Sequence, residues 1–351
     1  MSSRVPRCLA PLLYQGEKRL ENYFEGWYFK QVAPPAARAR SAIDKGLGFT
    51  GGRAFAFIPG ISRGVEADTA FIQTIDGTDG ITDWFPFPIS AFSWQDEPFG
   101  LRIGANTFSL EGIHVDMENG RMHIKAELKY RNPTFLRSSL LSPGIMGPYS
   151  FAPFMECYHG VGSLDHETSG WIEIEDLAAG NPVSRIVFDG GRGYLEKDWG
   201  SSMPSAWVWM QTNIFDGLPP PASFMLSLAR VPWLGGSFPG FICTLLINDE
   251  EYRFATYTGA RLDLLEAEGR TVRILLSDKT HKMEILARRS TEGYLAAPVH
   301  GNMSRRIAES SDTELRVILK KRSRGAEDVI FDAYSTVGGM EMVGDIDSLR
   351  S

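Results

Sequence analysis

Cysteine is scarce in this chain. Cys8, Cys157 and Cys243 are the only three in 351 residues, and they form neither a disulfide framework nor a C-x-x-C pair. Free thiols in a reducing compartment are the simplest expectation. Long apolar runs are missing as well: no window approaches the ~20 apolar residues of a spanning helix. Residues 1–13 carry Arg4 and Arg7 but only a short apolar run broken by proline, so no signal peptide is expected. Together these absences favour a soluble cytoplasmic protein. Metal motifs are also lacking. The six histidines (His114, His123, His159, His166, His281 and His300) make no H-x-H, H-E-x-x-H or Cys/His cluster, so no metal site is expected. There is no G-x-S-x-G elbow and no P-loop. Gly46-Leu47-Gly48-Phe49-Thr50-Gly51 fits G-x-G-x-x-G, but strand-like residues 54–58 follow it instead of a helix, which leaves a glycine turn. Nor is positive charge in excess. A net charge of −7 argues against a nucleic-acid partner, and Lys320-Lys321 and Arg288-Arg289 read as solvated strand ends.

What remains is β structure. Glycine (36) and proline (20) are plentiful and no long amphipathic helical stretch stands out. Residues 121–130 give the clearest strand, with Met122, Ile124, Ala126, Leu128 and Tyr130 alternating with polar neighbours. Short strands recur at intervals of about ten residues, as in barrels and sandwiches. The length suits two domains with a sizeable core. The small-residue turn at residues 177–182 is the expected boundary, giving domains 1–180 and 181–351. Residues 34–45 read as a loop, strands are expected at 314–319 and 329–334, and the tail from Met340 is expected to be loose.

The richest stretch is Arg192-Gly193-Tyr194-Leu195-Glu196-Lys197-Asp198-Trp199-Gly200, followed by Trp207-Val208-Trp209-Met210-Gln211-Thr212-Asn213. In an extended chain, Tyr194, Glu196 and Asp198 share one face, with Leu195, Lys197 and Trp199 on the other. Trp207, Trp209, Gln211 and Asn213 likewise share a face. Two readings follow: solvent-facing acids on a half-exposed strand, or acids inside an aromatic cavity, where burial keeps a carboxyl protonated as a general acid. Spacing does not separate them. Residues 23–32 form a first strand with Tyr23, Glu25, Trp27 and Phe29 on one face and Phe24, Tyr28 and Lys30 on the other. Residues 154–160 place Glu156 and Tyr158 opposite Cys157 and His159, and His159 reads either as a hydrogen-bonded core histidine or as part of a site.

The run Tyr23-Phe24-Glu25-Gly26-Trp27-Tyr28-Phe29-Lys30 resembles the opening signature of the tocopherol cyclase-like family. Residues 193–213 resemble its second signature, EK-N/D-WG followed by W-x-W-x-Q-x-N. Gly162 with Gly170-Trp171-Ile172-Glu173, and Leu295-Ala296-Ala297-Pro298, are similar to two further family segments in the same order. The resemblance implies an all-β fold of two lipocalin-like antiparallel β-barrel domains with few short helices, shared with carotenoid hydratase-like enzymes. Plant members of the family close the chromanol ring of tocopherols; they carry Asn where this chain has Asp198.

The resemblance implies cofactor-independent, acid-catalysed cyclisation (an isomerase-type reaction) or hydration of a hydrophobic prenylated or isoprenoid molecule. Glu196 is the expected acid, with Asp198 second, since mutual repulsion between paired carboxyls keeps one protonated. Glu25, Tyr28, Lys30, Glu156, His159, Lys197, Trp199, Trp207, Trp209, Gln211 and Asn213 are the candidate binding residues, the aromatics offering faces to a carbocation. Two rivals stay open: a lipocalin-like carrier that turns nothing over, and a pericyclic ring-forming enzyme that works by shape. The expected partner is a hydrophobic small molecule, with peripheral membrane contact open and oligomeric state undetermined.

Overall fold

The computed structural model describes residues 6–34, 52–65, 67–153, 155–180, 182–233, 236–323 and 326–350. The loop expected at 34–45 and the glycine turn at 46–51 lie, apart from Pro34, outside them. Among the described residues, twenty-two strands make up nearly all the regular structure. The first twelve are β1 (Tyr23–Ala33), β2 (Arg53–Arg63), β3 (Asp68–Asp76), β4 (Thr82–Pro88), β5 (Phe92–Gln95), β6 (Gly100–Ile103), β7 (Asn106–Ser109), β8 (Gly112–Glu118), β9 (Met122–Thr134), β10 (Cys157–Asp176), β11 (Ser184–Val187) and β12 (Gly191–Gly200). The remainder are β13 (Trp207–Thr212), β14 (Ser223–Trp233), β15 (Gly236–Ile247), β16 (Glu250–Ala255), β17 (Arg261–Glu268), β18 (Thr271–Ser277), β19 (His281–Arg288), β20 (Gly293–Val299), β21 (Asn302–Ser323) and β22 (Ala326–Val343). Helix occurs among the described residues only as short 3-10 turns.

The strands form two antiparallel sheets built by one rule. In the first, β2, β3 and β4 lie to one side of β1, while the chain from β5 onward starts at the far edge and returns until β12 pairs with β1. In the second, β14, β15 and β16 flank β13, and the chain from β17 returns until β22 pairs with β13. The edge strands of each sheet are successive in the chain, β4 with β5 and β16 with β17, joined through the 3-10 turns Ile89–Ala91 and Thr256–Thr258. Each sheet therefore curls into a nearly closed barrel with a single seam, leaving little free edge. This is the expected pair of lipocalin-like antiparallel barrels.

Two expectations shift. The turn at 177–182 links β10 to β11 within the first barrel, and β12 lies beyond it yet pairs with both β1 and β10. The chain changes barrel between Gly200 and Trp207, not at 180/181, because the first sheet closes only when β12 returns to β1. The tail is not loose: Met340 is fully buried on β22 opposite Met210, and Leu349 is buried in a final 3-10 turn. Strands β21 and β22 also run well beyond 314–319 and 329–334.

Three large apolar cores result among the described residues, beside a small cluster of Val32, Ala54, Ile214 and Val337. Trp27, Phe29, Phe57, Phe108 and Leu195 fill the first barrel, and Val208, Met210, Phe224, Leu226 and Leu315 the second. The third lies between the barrels, where Tyr28, Tyr194, Trp207, Trp209 and Ile307 meet. Strands β1, β12 and β13 thus serve two cores at once, one per face, which is why both of their faces are apolar.

A candidate active site between the barrels

A cavity of about 200 Å³, open on one side, lies in the core between the barrels. Tyr28 (β1), His159 (β10), Glu196 and Asp198 (β12), Trp207 and Trp209 (β13), Glu309 (β21) and Glu341 (β22) bring its main polar and aromatic groups, among walls that are otherwise largely apolar. Register explains the meeting. Asp198 pairs with His159 on one side and Gly26 on the other, and Glu196 pairs with Tyr28. Neighbouring side chains on one face of a sheet are then in contact range.

His159 is the hinge of the first cluster. Its Nδ1 is 2.8 Å from Asp198 Oδ1 and its Nε2 is 3.4 Å from Glu196 Oε2. Nε2 has no hydrogen-bond partner, although the residue is only 8 % exposed. The second contact is therefore an ion pair without hydrogen-bond geometry. Burial alone depresses the imidazolium, but Asp198 and Glu196 outweigh it and push His159 up to about 10. The two carboxylates favour the imidazolium form, with Nε2 against Glu196 at the cavity wall but without a hydrogen bond. Glu196 Oε2 accepts from Tyr194 Oη–H at 2.6 Å and from Trp209 Nε1–H at 3.2 Å.

The expectation of two acids repelling each other is thereby modified, because an imidazolium stands between Glu196 and Asp198. One proton-binding consequence is measurable. The folded chain holds the His159 proton more tightly than an unfolded histidine, which titrates near 6.5. The stability this supplies is complete below about pH 6.5 and is lost as pH rises through about 10. Urea midpoints over that window should fall in the wild type and fall less in His159→Gln; parallel curves would count against the cluster. His166 acts elsewhere: buried and beside Arg192, it is pushed down to about 3 and destabilises only in acid.

A second cluster faces the first. Glu309 Oε1 accepts from Tyr28 Oη–H at 2.5 Å and from Ser311 Oγ–H at 3.0 Å. Glu341 Oε2 accepts from Trp207 Nε1–H at 2.5 Å. Burial pushes Glu309 up to about 7 and holds Glu341 well above the usual carboxylate range, with Glu309 adding to the latter shift. Tyr28 and Trp209 meet edge to face at 5.5 Å between the clusters.

The other candidates lie elsewhere. Glu25 and Lys197 point into the first barrel, where Nζ and Oε1 are 2.5 Å apart. Trp199 stacks on Tyr158 and on the Lys197 ammonium instead of lining the cavity. Lys30 Nζ donates to Gln211 Oε1 at 3.0 Å and to Val337 O at 2.8 Å, a buried brace between barrels in which burial pulls the ammonium down to about 8. Asn213 donates to Asp165 Oδ1 and Gly193 O. Glu156 is exposed just before β10. The alternation that put these residues on one face of a strand was right; which face meets the cavity is a property of the barrels. Sequence reasoning missed Glu309 and Glu341, since one lay in an unassigned gap and the other in the supposed loose tail. The only available signal was the apolar alternation on either side of them.

Residues 146–344 match the tocopherol cyclase-like family, which is more than half of the chain. The chain belongs to that family. Among tocopherol cyclase-like proteins, the chloroplastic tocopherol cyclase of Zea mays is 27 % identical over 203 residues, covering 55 % of this chain and 40 % of the maize protein. A probable chloroplastic tocopherol cyclase of Oryza sativa subsp. japonica is 26 % identical over the same extent. The aligned stretch spans less than half the length of these relatives. The crystal structure of CghA with Sch210972 superposes with a TM-score of 0.55 at 11 % identity, covering 92 % of this chain and 88 % of CghA, which supports the double-barrel fold.

Three donor groups in this tocopherol cyclase-like site, on His159, Glu196 and Asp198, lie within 4.8 Å of one another and are within reach of a single ion. Each ring nitrogen of His159 already faces a carboxylate, however, which suits a doubly protonated ring. A metal at either nitrogen would have to displace one of those contacts and take a neutral imidazole. No helix among the described residues is long and apolar enough to cross a membrane.

Proposed function

We propose that the protein is a cyclase- or hydratase-type enzyme that protonates an alkene of a hydrophobic, isoprenoid-bearing small molecule without a cofactor. The observation that carries this reading is a largely apolar, aromatic-walled cavity lined by His159, Glu196, Asp198, Glu309 and Glu341, in which His159 Nε2 and Glu309 Oε2 have no hydrogen-bond partner. Alkene protonation needs a proton donor in a dry site and aromatic faces for the cation that forms. Glu196 is the donor in this reading, once it has taken the Nε2 proton of the adjacent His159 imidazolium. Tyr194 and Trp209 anchor Oε2, which leaves Oε1 as the oxygen to meet the substrate in this reading. His159, held by Asp198, is the adjacent proton-bearing group. Tyr28, Trp207 and Trp209 offer π faces to a carbocation. Capture of that cation by an oxygen of the same molecule closes a ring, and capture by water gives a hydrate. The three free thiols, Cys8, Cys157 and Cys243, fit a reducing compartment such as the cytoplasm.

The test is incubation with prenylated quinols and polyenes, followed by mass spectrometry. A product of unchanged mass and altered retention is expected for cyclisation, or a gain of one water for hydration, with rates unaffected by chelator. Tight binding across the panel with no product would make the protein a carrier.

A further inference from the structure

Two leucines stand out from the surface beside the cavity. The chain between β9 and β10 makes a two-residue hairpin in which Ser139 and Ser142 exchange both backbone hydrogen bonds at 3.1 Å, with Leu140 and Leu141 as the turn. Turns of this kind ordinarily take Gly, Asn, Asp, Pro or Ser. Leu140 is instead 76 % exposed and Leu141 83 %, and the exposed Phe135 and Phe151 belong to the same segment. The tip is held in place. Arg253 Nη2 donates to Arg137 O on one leg at 2.6 Å, and its Nη1 donates to Gly144 O on the other at 3.2 Å. Ser150 Oγ donates to Pro143 O at 3.1 Å, which brings Phe151 to the foot of the hairpin. Below the tip, Leu136 and Met146 pack into the core between the barrels. The same segment supplies Met146, Tyr149, Ala152 and Met155 to the cavity wall. Tyr149, Ala152 and Met155 are only half-buried, so the tip projects beside a place where the cavity meets the surface.

Apolar side chains fixed in water cost free energy that burial returns, so this tip points to an occupant. Its shape decides which. Four side chains around a convex turn fall far short of the roughly 20–30 residues a side of a stable protein interface. They suit a fluid apolar phase, which closes around any shape. Charge narrows the choice further. Arg137 Nη2 donates to Asp249 O, the Asp249 and Glu250 side chains are exposed, and the chain carries a net charge of −7. No basic cluster is there to select an anionic headgroup.

We propose that the Leu140–Leu141 hairpin, with Phe135 and Phe151, is a lipid-insertion site that seats the protein on a zwitterionic bilayer surface with the open side of the cavity against the lipid. A hydrophobic molecule then passes between bilayer and cavity without crossing water. The inference holds whether that molecule is transformed or only carried, and so stands apart from the alkene-protonation reading.

The experiment is flotation of the 351-residue chain with phosphatidylcholine vesicles. The wild type should float with the vesicles, at low and high salt alike. Leu140→Ser combined with Leu141→Ser changes only exposed turn positions, so the melting temperature should stay at the wild-type value. Vesicle affinity should nevertheless fall roughly 100-fold, about tenfold for each leucine withdrawn from lipid. Val329→Ser combined with Ile330→Ser, at an exposed apolar pair on β22, should float like the wild type. No flotation of the wild type, equal flotation of the leucine double variant, or an equal loss in the Val329/Ile330 variant overturns the proposal. Binding that needs phosphatidylglycerol and vanishes at high salt also overturns it, because charge would then be the cause. A dimer in sedimentation that the leucine variant loses, with no flotation of either protein, would make the tip a contact between copies instead.

Discussion

Glu196→Gln is expected to lower turnover by about 10²–10⁴-fold, the usual worth of a general acid, while ligand binding persists. The substitution is nearly isosteric. A glutamine carbonyl oxygen can still accept from Tyr194 Oη and Trp209 Nε1, so the cavity wall stays in place. What disappears is a proton that can be transferred. Tryptophan quenching should report near wild-type affinity beside the rate loss. Wild-type turnover in this variant would falsify the assignment of the acid. If the loss appears only in Asp198→Asn, the donor role moves to the His159–Asp198 couple, whose Nε2–H also faces the cavity.

The largest stability effect is expected inside the first barrel, at the Glu25–Lys197 pair. Both side chains are fully buried and 2.5 Å apart. Lys197 also donates to Pro11 O and Leu13 O, and its ammonium lies 4.8 Å from the Trp27 ring and 4.7 Å from Trp199. Glu25 accepts from the backbone N–H groups of Gln15 and Gly16 and from Tyr23 Oη–H. The pair therefore pins the segment leading into β1 across the barrel. Burial already pulls Lys197 down to about 8 in spite of its partner. Removing Glu25 leaves an uncompensated buried cation and orphans three donors. Glu25→Ala should lower the unfolding free energy by about 3–5 kcal/mol. Glu25→Met combined with Lys197→Met should be less damaging than Glu25→Ala, because no unpaired charge remains. Urea denaturation of the three proteins decides the matter: a Glu25→Ala loss below about 1 kcal/mol, the range of an exposed pair, would show that the pair is not structural.

Glu25 and Glu196 make the limits of sequence reading plain. Both are buried glutamates in signature motifs on paired strands. One is a structural anchor and the other faces the cavity. Their assignment to opposite sides follows from which face of β1 and β12 became the barrel interior. Glu309 and Glu341 illustrate the other limit, since 31 residues of chain separate them and only the β21–β22 register makes them neighbours.

The sequence by itself determined the all-β class, the family and the membership of each strand face. Those properties follow from composition, motif and the fixed two-residue alternation of an extended chain. Only the tertiary structure decided which faces enclose a barrel and which meet between barrels, where the first barrel closes, and which carboxyls share the cavity. An alternating pattern with both faces apolar is unchanged when its faces are exchanged. The choice is made by long-range strand pairing, which places Lys197 inside a barrel and Glu196, one residue before it, in the cavity.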